Sequence, residues 1–516
     1  VRHFITTRVA GATALPRVDT DPSILGAFLN DAAHVPGGFA TGLAIPHDIN
    51  EVAAIVRSAA QILPIGAQSS LTGGATPRGD VILSTRALTR IDAPHDGLVR
   101  VGAGVPLAAL QRQLATANLY FPPVPTFDGA CVGGTIATNA AGAATFKYGS
   151  TRRWVQALTL VLASGDILEI ARGQAYAGRD DDLLLKDSAG RATRIPMPRY
   201  AMPAVAKLSA GYFSMPGMDL VDLFIGSEGT LGIIVDATLR VIPRPRTAVA
   251  LVSCADDAQA VAVTAMLRRD AEAAWNEQGQ LDVAAIEYID GRSLRRVPGD
   301  VFRRVNLTRP ERDEAAILLV QFEVPENEDD AFVRFETTLA ECGIRADPLI
   351  ASPGDERTAA HLFDLRESVP ASINALVASF KMHDPAIEKT AGDMVVPFDR
   401  LAKSIAIYRA AFERRGLDYA IWGHASDGNL HPNVIPRTFE DVTRGREALL
   451  DIGREVIGMG GAPLAEHGVG RSVLKQRLLY ELYGEDGIGQ MRAIKRALDP
   501  KWKLSSGVLF PADEPR

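Results

Sequence analysis

Val132-Gly133-Gly134-Thr135-Ile136-Ala137-Thr138-Asn139-Ala140-Ala141-Gly142 is an uncharged run of small side chains. Such a run lets backbone approach a flat ligand closely. Two other stretches share this character. Upstream is Pro64-Ile65-Gly66-Ala67-Gln68-Ser69-Ser70-Leu71-Thr72-Gly73-Gly74, where glycines and hydroxyls let backbone N–H groups converge on an anion, pyrophosphate being the natural guest. Downstream is Ile225-Gly226-Ser227-Glu228-Gly229-Thr230-Leu231-Gly232-Ile233-Ile234. The first loop alone reads equally well as a surface turn; three such stretches in one half of the chain point to a long flat ligand. None is a Walker A loop, because no G-K-[ST] follows. Gly102-Ala103-Gly104 and Gly487-Ile488-Gly489 both lack the third glycine of a dinucleotide fingerprint.

The segments around these loops alternate between strand and helix. Val81-Ile82-Leu83-Ser84 reads as a strand. Leu158 to Leu162, the turn Ala163-Ser164-Gly165-Asp166 and Ile167 to Ile170 read as a strand pair. Pro106 opens a helix with Leu107, Leu110 and Leu114 on one face, ending near Asn118. Pro243-Arg244-Pro245 marks a boundary. Beyond it the order is strand at Leu251-Val252-Ser253, helix at Ala258 to Ala273, strands at Ala284 to Ile289 and Ile317 to Phe322, and helix at Asp329 to Cys342. That order predicts a second domain, an antiparallel sheet covered by helices. A helix over Gln476 to Ala497 ends at Asp499-Pro500. The fold class is α+β, divided as 1–245, 246–455 and 456–516.

With 516 residues, 47% hydrophobic and 23% charged, the chain is long enough for two or three domains with sizeable cores. A net charge of −7 argues against a general nucleic-acid or anionic-membrane surface. Cys131, Cys254 and Cys342 form no C-x-x-C pair, which disfavours an iron–sulfur cluster or cysteine zinc site and fits a reducing compartment. The expected location is cytoplasmic, with peripheral attachment to the inner membrane as the variant. Val1 to Asp19 carries Arg2, Arg8 and Arg17 and reads as a solvated arm.

A second chemical signal converges from two places. Gly423-His424-Ala425-Ser426-Asp427-Gly428-Asn429-Leu430-His431-Pro432-Asn433 is followed downstream by Ala465-Glu466-His467-Gly468. Three of the chain's nine histidines lie here. Two neutral imidazoles and a carboxylate can hold a divalent ion with positions left open, which frees a further histidine to move a proton. The same residues would also serve as satisfied structural histidines.

These motifs, in this order, resemble the vanillyl-alcohol oxidase/p-cresol methylhydroxylase flavoprotein superfamily. Within it, the chain is most similar to the group of D-lactate dehydrogenases, glycolate oxidase subunits and D-2-hydroxyglutarate dehydrogenases. The resemblance covers nearly the whole chain and continues through Met491, Lys495 and Ala497-Leu498-Asp499-Pro500. It implies a two-subdomain PCMH-type FAD-binding domain, an antiparallel-sheet-plus-helices cap, and a C-terminal helical segment returning to the FAD domain. The residues it implies for FAD are Gly66, Ala67, Gln68, Ser69, Ser70, Gly73, Gly133, Gly134, Ala137, Asn139, Gly142, Glu228, Gly232 and Ile234. The chain departs from the family at Ala67-Gln68, where glycines are frequent, and at Ser505-Ser506-Gly507, where asparagine-proline-glycine is usual. No histidine lies in the first loop, so FAD is expected to be non-covalent.

The resemblance further implies His424, His431 and Glu466 as ligands of a divalent ion, with Zn²⁺ fitting best and Mn²⁺, Co²⁺ or Fe²⁺ open. It implies His467 as general base, Asn433 as a substrate contact, Arg366 as a carboxylate clamp and Lys389 as a second carboxylate-binding group. The expected reaction is oxidation of a D-2-hydroxy acid to the 2-keto acid, with hydride passing to flavin N5. The expected partners are the small hydroxy acid and an external acceptor (quinone, cytochrome or electron-transfer flavoprotein); no nucleic acid is expected, and a homodimer is compatible. The rival readings are a transferase of the alkylglycerone-phosphate synthase kind, a flavin subunit that turns over only with a partner, and an oxidase of another alcohol. Glu466-His467-Gly468 stands where the transferases resemble H-H-H-G.

Overall fold

The computed structural model describes residues 4–123, 125, 127–176, 182–325 and 329–511. The first half builds two sheets. In the smaller, Phe39–Ala44 and Ile62–Ile65 both run parallel to Arg78–Ser84, and helix Ile49–Ser58 forms the crossover. Asp48 caps that helix by accepting from the N–H groups of Asn50 and Glu51. In the larger sheet the order is Ala192–Ile195, Leu183–Lys186, Phe4–Arg8, Ile167–Ala171, Val155–Val161, Ile233–Arg240 and Leu98–Gly102. The helix after Pro106 spans Leu107–Ala115 and buries Leu107, Leu110 and Leu114 as its spacing predicts.

The N-terminal arm departs from expectation. Phe4–Arg8 is an internal strand of the larger sheet, parallel to Leu183–Lys186 and antiparallel to Ile167–Ala171. Its alternation buries Ile5 and Thr7, so β-branched side chains outweigh the arginines in deciding its fate. Residues 1–3, with Arg2, lie outside the described residues.

The second half is an antiparallel sheet ordered Leu349–Ala351, Thr247–Cys254, Ala316–Glu323, Asp282–Asp290, Tyr419–His424, Asn429–Val434 and Thr390–Ala391, with Met394–Val395 also paired to Asn429–Val434. Its strands are apolar on both faces because helices cover both. Ala248, Ala250 and Val252 join one core; Val249 and Leu251 join the other. Helices Asp257–Trp275, Asp329–Glu341, Leu401–Glu413 and Phe439–Gly458 pack on the first face, and Glu356–Lys381 packs on the second. The helix Phe439–Gly458 runs across the boundary expected at 455.

The tail spans Val473–Leu498 but is two helices joined at Gly484, whose φ of 65° breaks the helical path. Leu478, Leu479, Met491, Ile494 and Leu498 enter the core of the larger sheet of the first half. Leu504 bridges to Ile62 of the smaller sheet. No helix among the described residues is long and apolar enough to cross a membrane.

Candidate active site

The three small-residue loops lie side by side. A Cβ added to Gly66 would stand 3.0 Å from Cys131 Cβ, at the start of helix Val132–Ala137. The N–H groups of Gly226 and Glu228 donate to the carbonyls of Ile136 and Ala137, at 3.0 and 2.8 Å. Gly133 is required for closeness, since a Cβ there would come within 2.7 Å of Ala103 Cβ, whereas Gly134 faces open space. A cradle of close backbone with an open side fits an extended cofactor. Several side chains expected at the flavin are committed to protein groups. Gln68 donates to the carbonyls of Phe28 and Ala75. Asn139 donates to Leu208 and accepts from the Arg152 N–H. Glu228 accepts from the N–H groups of Val469 and Gly470, both at 2.8 Å. These side chains are held in place by protein groups. Ile234 is buried in strand Ile233–Arg240.

The histidine motif folds as a hairpin of Tyr419–His424 and Asn429–Val434. His424 lies opposite Asn429 and His431 opposite Trp422, so both rings project from one face by the two-residue alternation of strands. Their centroids are 5.5 Å apart. The turn needs Gly428: its φ is 74°, and a Cβ would strike the Val396 carbonyl at 2.2 Å. Glu466 arrives from the segment after Ala462, which pairs with Val395. Its Oε1 stands 3.4 Å from His424 Nε2, 3.2 Å from His431 Nε2 and 3.4 Å from His467 Nε2. Three imidazole nitrogens thus converge on one carboxylate oxygen.

The groups behind this cluster carry no sequence motif. Glu287 lies directly opposite His424 on the neighbouring strand and faces its Nδ1 at 3.1 Å. Asp393 faces Nδ1 of His431 at 3.5 Å and of His467 at 3.3 Å, and accepts the N–H groups of Glu466 and His467 at 2.9 Å each. Asp393, His431, Glu466 and His467 offer ligand atoms that all lie within 4.8 Å of one another. An outer carboxylate on each inner histidine is the usual surrounding of a metal site. Glu287 is one of three acids in its strand, with Asp282 and Asp290, and nothing local marks it; the hint for Asp393 is an acid four residues past Lys389.

Buried charges are close to balance here: the acids Glu287, Asp393, Asp427 and Glu466 face Lys207, Lys475, Arg366 and the imidazole of His424. Both ring nitrogens of His424 and Nδ1 of His431 are buried without a well-formed hydrogen bond. Burial opposes a proton on His424, but Glu287 and Glu466 raise its pKa to about 9. Burial opposes charge on Glu287, yet Arg366 and His424 bring it down to about 2. Burial pushes the His467 pKa down, while Asp393 and Glu466 work the other way. The donor set and these unpartnered nitrogens fit a divalent ion.

Arg366 sits on the buried face of helix Glu356–Lys381, in register with Leu362, Leu365 and Val369. Its guanidinium pairs with Glu287 at 3.3 Å and with the half-exposed Glu367 at 2.9 Å. Asn433 Nδ2 donates to the His431 carbonyl at 2.7 Å, which leaves its buried Oδ1 unpartnered. Lys389 precedes strand Thr390–Ala391; although the residue is exposed as a whole, burial of its amine and the nearby charge of Lys475 push its pKa down to about 8, and no ion pair joins it to the groups above.

The model of the FAD binding domain family matches residues 40–171, and that of the FAD linked oxidases, C-terminal domain, matches residues 244–509. The chain is 29% identical to D-2-hydroxyglutarate dehydrogenase of Xanthomonas citri pv. viticola, over 96% of this chain and 94% of that one. It is 27% identical to glycolate oxidase subunit GlcD of Bacillus subtilis, over 91% and 88%. It is 28% identical to D-lactate dehydrogenase of Archaeoglobus fulgidus, over 90% and 89%. A solved structure of alkyldihydroxyacetonephosphate synthase shares the fold, with a TM-score of 0.64 at 16% identity over 95% of this chain and 81% of that one. With the C-terminal domain model alone matching more than half of its residues, the chain belongs to the family of FAD-linked oxidases.

Proposed function

We propose that the chain is an FAD-dependent dehydrogenase that oxidises a D-2-hydroxy acid to the 2-keto acid. The observation that carries this reading is the convergence of three imidazoles on Glu466 in a chain with the three flavin loops. The names of the relatives, D-2-hydroxyglutarate and D-lactate dehydrogenases, support the substrate class. Bound FAD would supply the hydride acceptor, and a divalent ion would supply Lewis acidity toward the substrate hydroxyl.

The protein residues do the rest. His424, His431 and Glu466 would hold the ion; a nitrogen–oxygen donor set without cysteine suits Zn²⁺, Mn²⁺, Co²⁺ or Fe²⁺. His467, kept neutral by burial, takes the hydroxyl proton while Asp393 fixes the ring from its Nδ1 side. Arg366 receives the substrate carboxylate by exchanging it for Glu367, its exposed partner, while Glu287 keeps the other side of the fork. Asn433 offers an amide beside His431. Turnover would need an external acceptor for the electrons that bound FAD would take up.

The base assignment is tested by His467→Ala. The variant should keep its yellow FAD and lose bleaching by substrate about 10²–10⁴-fold. Bleaching at the wild-type rate would remove His467 from the mechanism.

A further inference from the structure

We propose that Lys207 is a positioning residue that fixes Glu466 so that a single carboxylate oxygen faces the three histidines. This rests on the metal reading above and concerns a residue outside every motif of the site.

Lys207 lies in the flavin domain, and its side chain is fully buried. Its ammonium donates hydrogen bonds to Glu466 and to the Gly142 carbonyl and forms a close ion pair with Asp427, whose oxygens have no well-formed hydrogen bond. It stands 3.0 Å from Glu466 Oε2, 2.8 Å from Asp427 Oδ2 and 3.2 Å from the Gly142 carbonyl. The backbone around it is tied to the second small-residue loop. Ser209 Oγ donates to the Thr138 carbonyl at 2.8 Å, and the Leu208 carbonyl accepts from Asn139 Nδ2 at 3.1 Å. On the other side, the Ser209 N–H donates to the Leu464 carbonyl, two residues before Glu466. The lysine therefore reaches from the flavin loop to both the hairpin turn and the ligand carboxylate.

This anchoring has a geometric consequence. With Oε2 taken by Lys207, only Oε1 is presented to His424, His431 and His467. Glu466 is thereby set up as a one-oxygen ligand, which leaves coordination positions for substrate. Without the ammonium, Asp427 and Glu466 would face each other as two buried carboxylates with no cation between them. Glu466 would then turn from the histidines or bind through both oxygens.

The test is metal affinity, measured by competition with a chelator of known strength using Zn²⁺ and Co²⁺ on the FAD-loaded protein. Lys207→Met strands two buried acids and can fail to fold, so the deciding variant is Lys207→Met with Asp427→Leu, which replaces a buried ion pair by apolar groups. That double variant is expected to keep its FAD and to bind metal about 10–100-fold more weakly than wild type. Its Co²⁺ absorption should change as the carboxylate changes its mode of binding. A purely structural lysine would lower the melting temperature of the metal-free protein and leave affinity and spectrum alone. Wild-type affinity and an unchanged spectrum in the double variant would overturn the role of Lys207 while leaving the metal reading intact. A wild-type protein that binds neither ion would overturn both.

Discussion

Glu287 serves two neighbours at once. It receives Arg366 on one side and His424 Nδ1 on the other, so one side chain holds both the proposed carboxylate clamp and a proposed metal ligand. Glu287→Gln keeps the shape and removes the charge that orients the imidazole. Metal affinity should fall about 10–100-fold in chelator competition, and the KM for hydroxy acid should rise as Arg366 loses its anchor. Unchanged affinity would mean that His424 needs no outer carboxylate. At this scale the sequence was informative where residues were rare and clustered: His424, His431, Glu466 and His467 stand out in a chain with nine histidines. Glu287, Asp393 and Lys207 were silent, because each is a single charged residue whose partners are distant in the chain. Lys207 and Glu466 are 259 positions apart.

The hairpin Tyr419–His424/Asn429–Val434 is the element that aims His424 and His431. Its turn depends on a left-handed residue pressed against the Val396 carbonyl. Gly428→Ala adds both backbone strain and a clash, for a loss of about 2–4 kcal/mol in chemical unfolding. Metal affinity should fall with it, because the register of His424 and His431 is set by that turn. The seven-residue spacing and the central glycine were visible beforehand, but not the pairing partner: Asp282–Asp290, which brings Glu287, joins from far upstream. Strands at Thr247–Cys254 and Ala316–Glu323 were legible because apolar runs of that length with β-branched residues favour strands. Two elements depart from expectation for local reasons: β-branched alternation outweighs the arginines at Phe4–Arg8, and the positive φ of Gly484 divides the helix expected over Gln476 to Ala497.

The two halves of the molecule meet through specific contacts. Lys147 of helix Thr145–Tyr148 reaches Asp282 and Glu323 of the cap sheet, each at 2.6 Å. The Arg268 guanidinium lies between Phe146 and Phe398 and donates to the Ser426 carbonyl in the hairpin turn. Glu228, in the third flavin loop, holds the strand of chain that follows His467 through two backbone N–H groups. Burial raises its pKa from 4.5 to about 7 against those two hydrogen bonds. The folded state thus favours the protonated acid: its contribution is full below the ordinary value and is lost as pH rises through about 7. Relative to Glu228→Gln, which cannot titrate, wild type should lose about 3 kcal/mol of stability as pH rises from below 4.5 to above about 7. Parallel unfolding curves at each pH measure this; a constant difference would mean that Glu228 does not titrate in that range. The two-half architecture was readable from the small-residue loops and the boundary at Pro243-Arg244-Pro245. The return of the tail into the flavin core was not readable from periodicity, since an amphipathic helix does not say which surface it covers.

These scales meet in one experiment. The FAD-loaded protein is mixed anaerobically with D-lactate, D-2-hydroxyglutarate and their L enantiomers, and the flavin absorbance is followed before chelation, after chelation, and after Zn²⁺ or Co²⁺ is returned. Bleaching by a D acid, not by its L form, lost with chelator and restored by the ion, is the expected result. Flavin that none of the acids bleaches, or that bleaches equally with metal removed, would contradict oxidation of a D-2-hydroxy acid at a metal held by His424, His431 and Glu466.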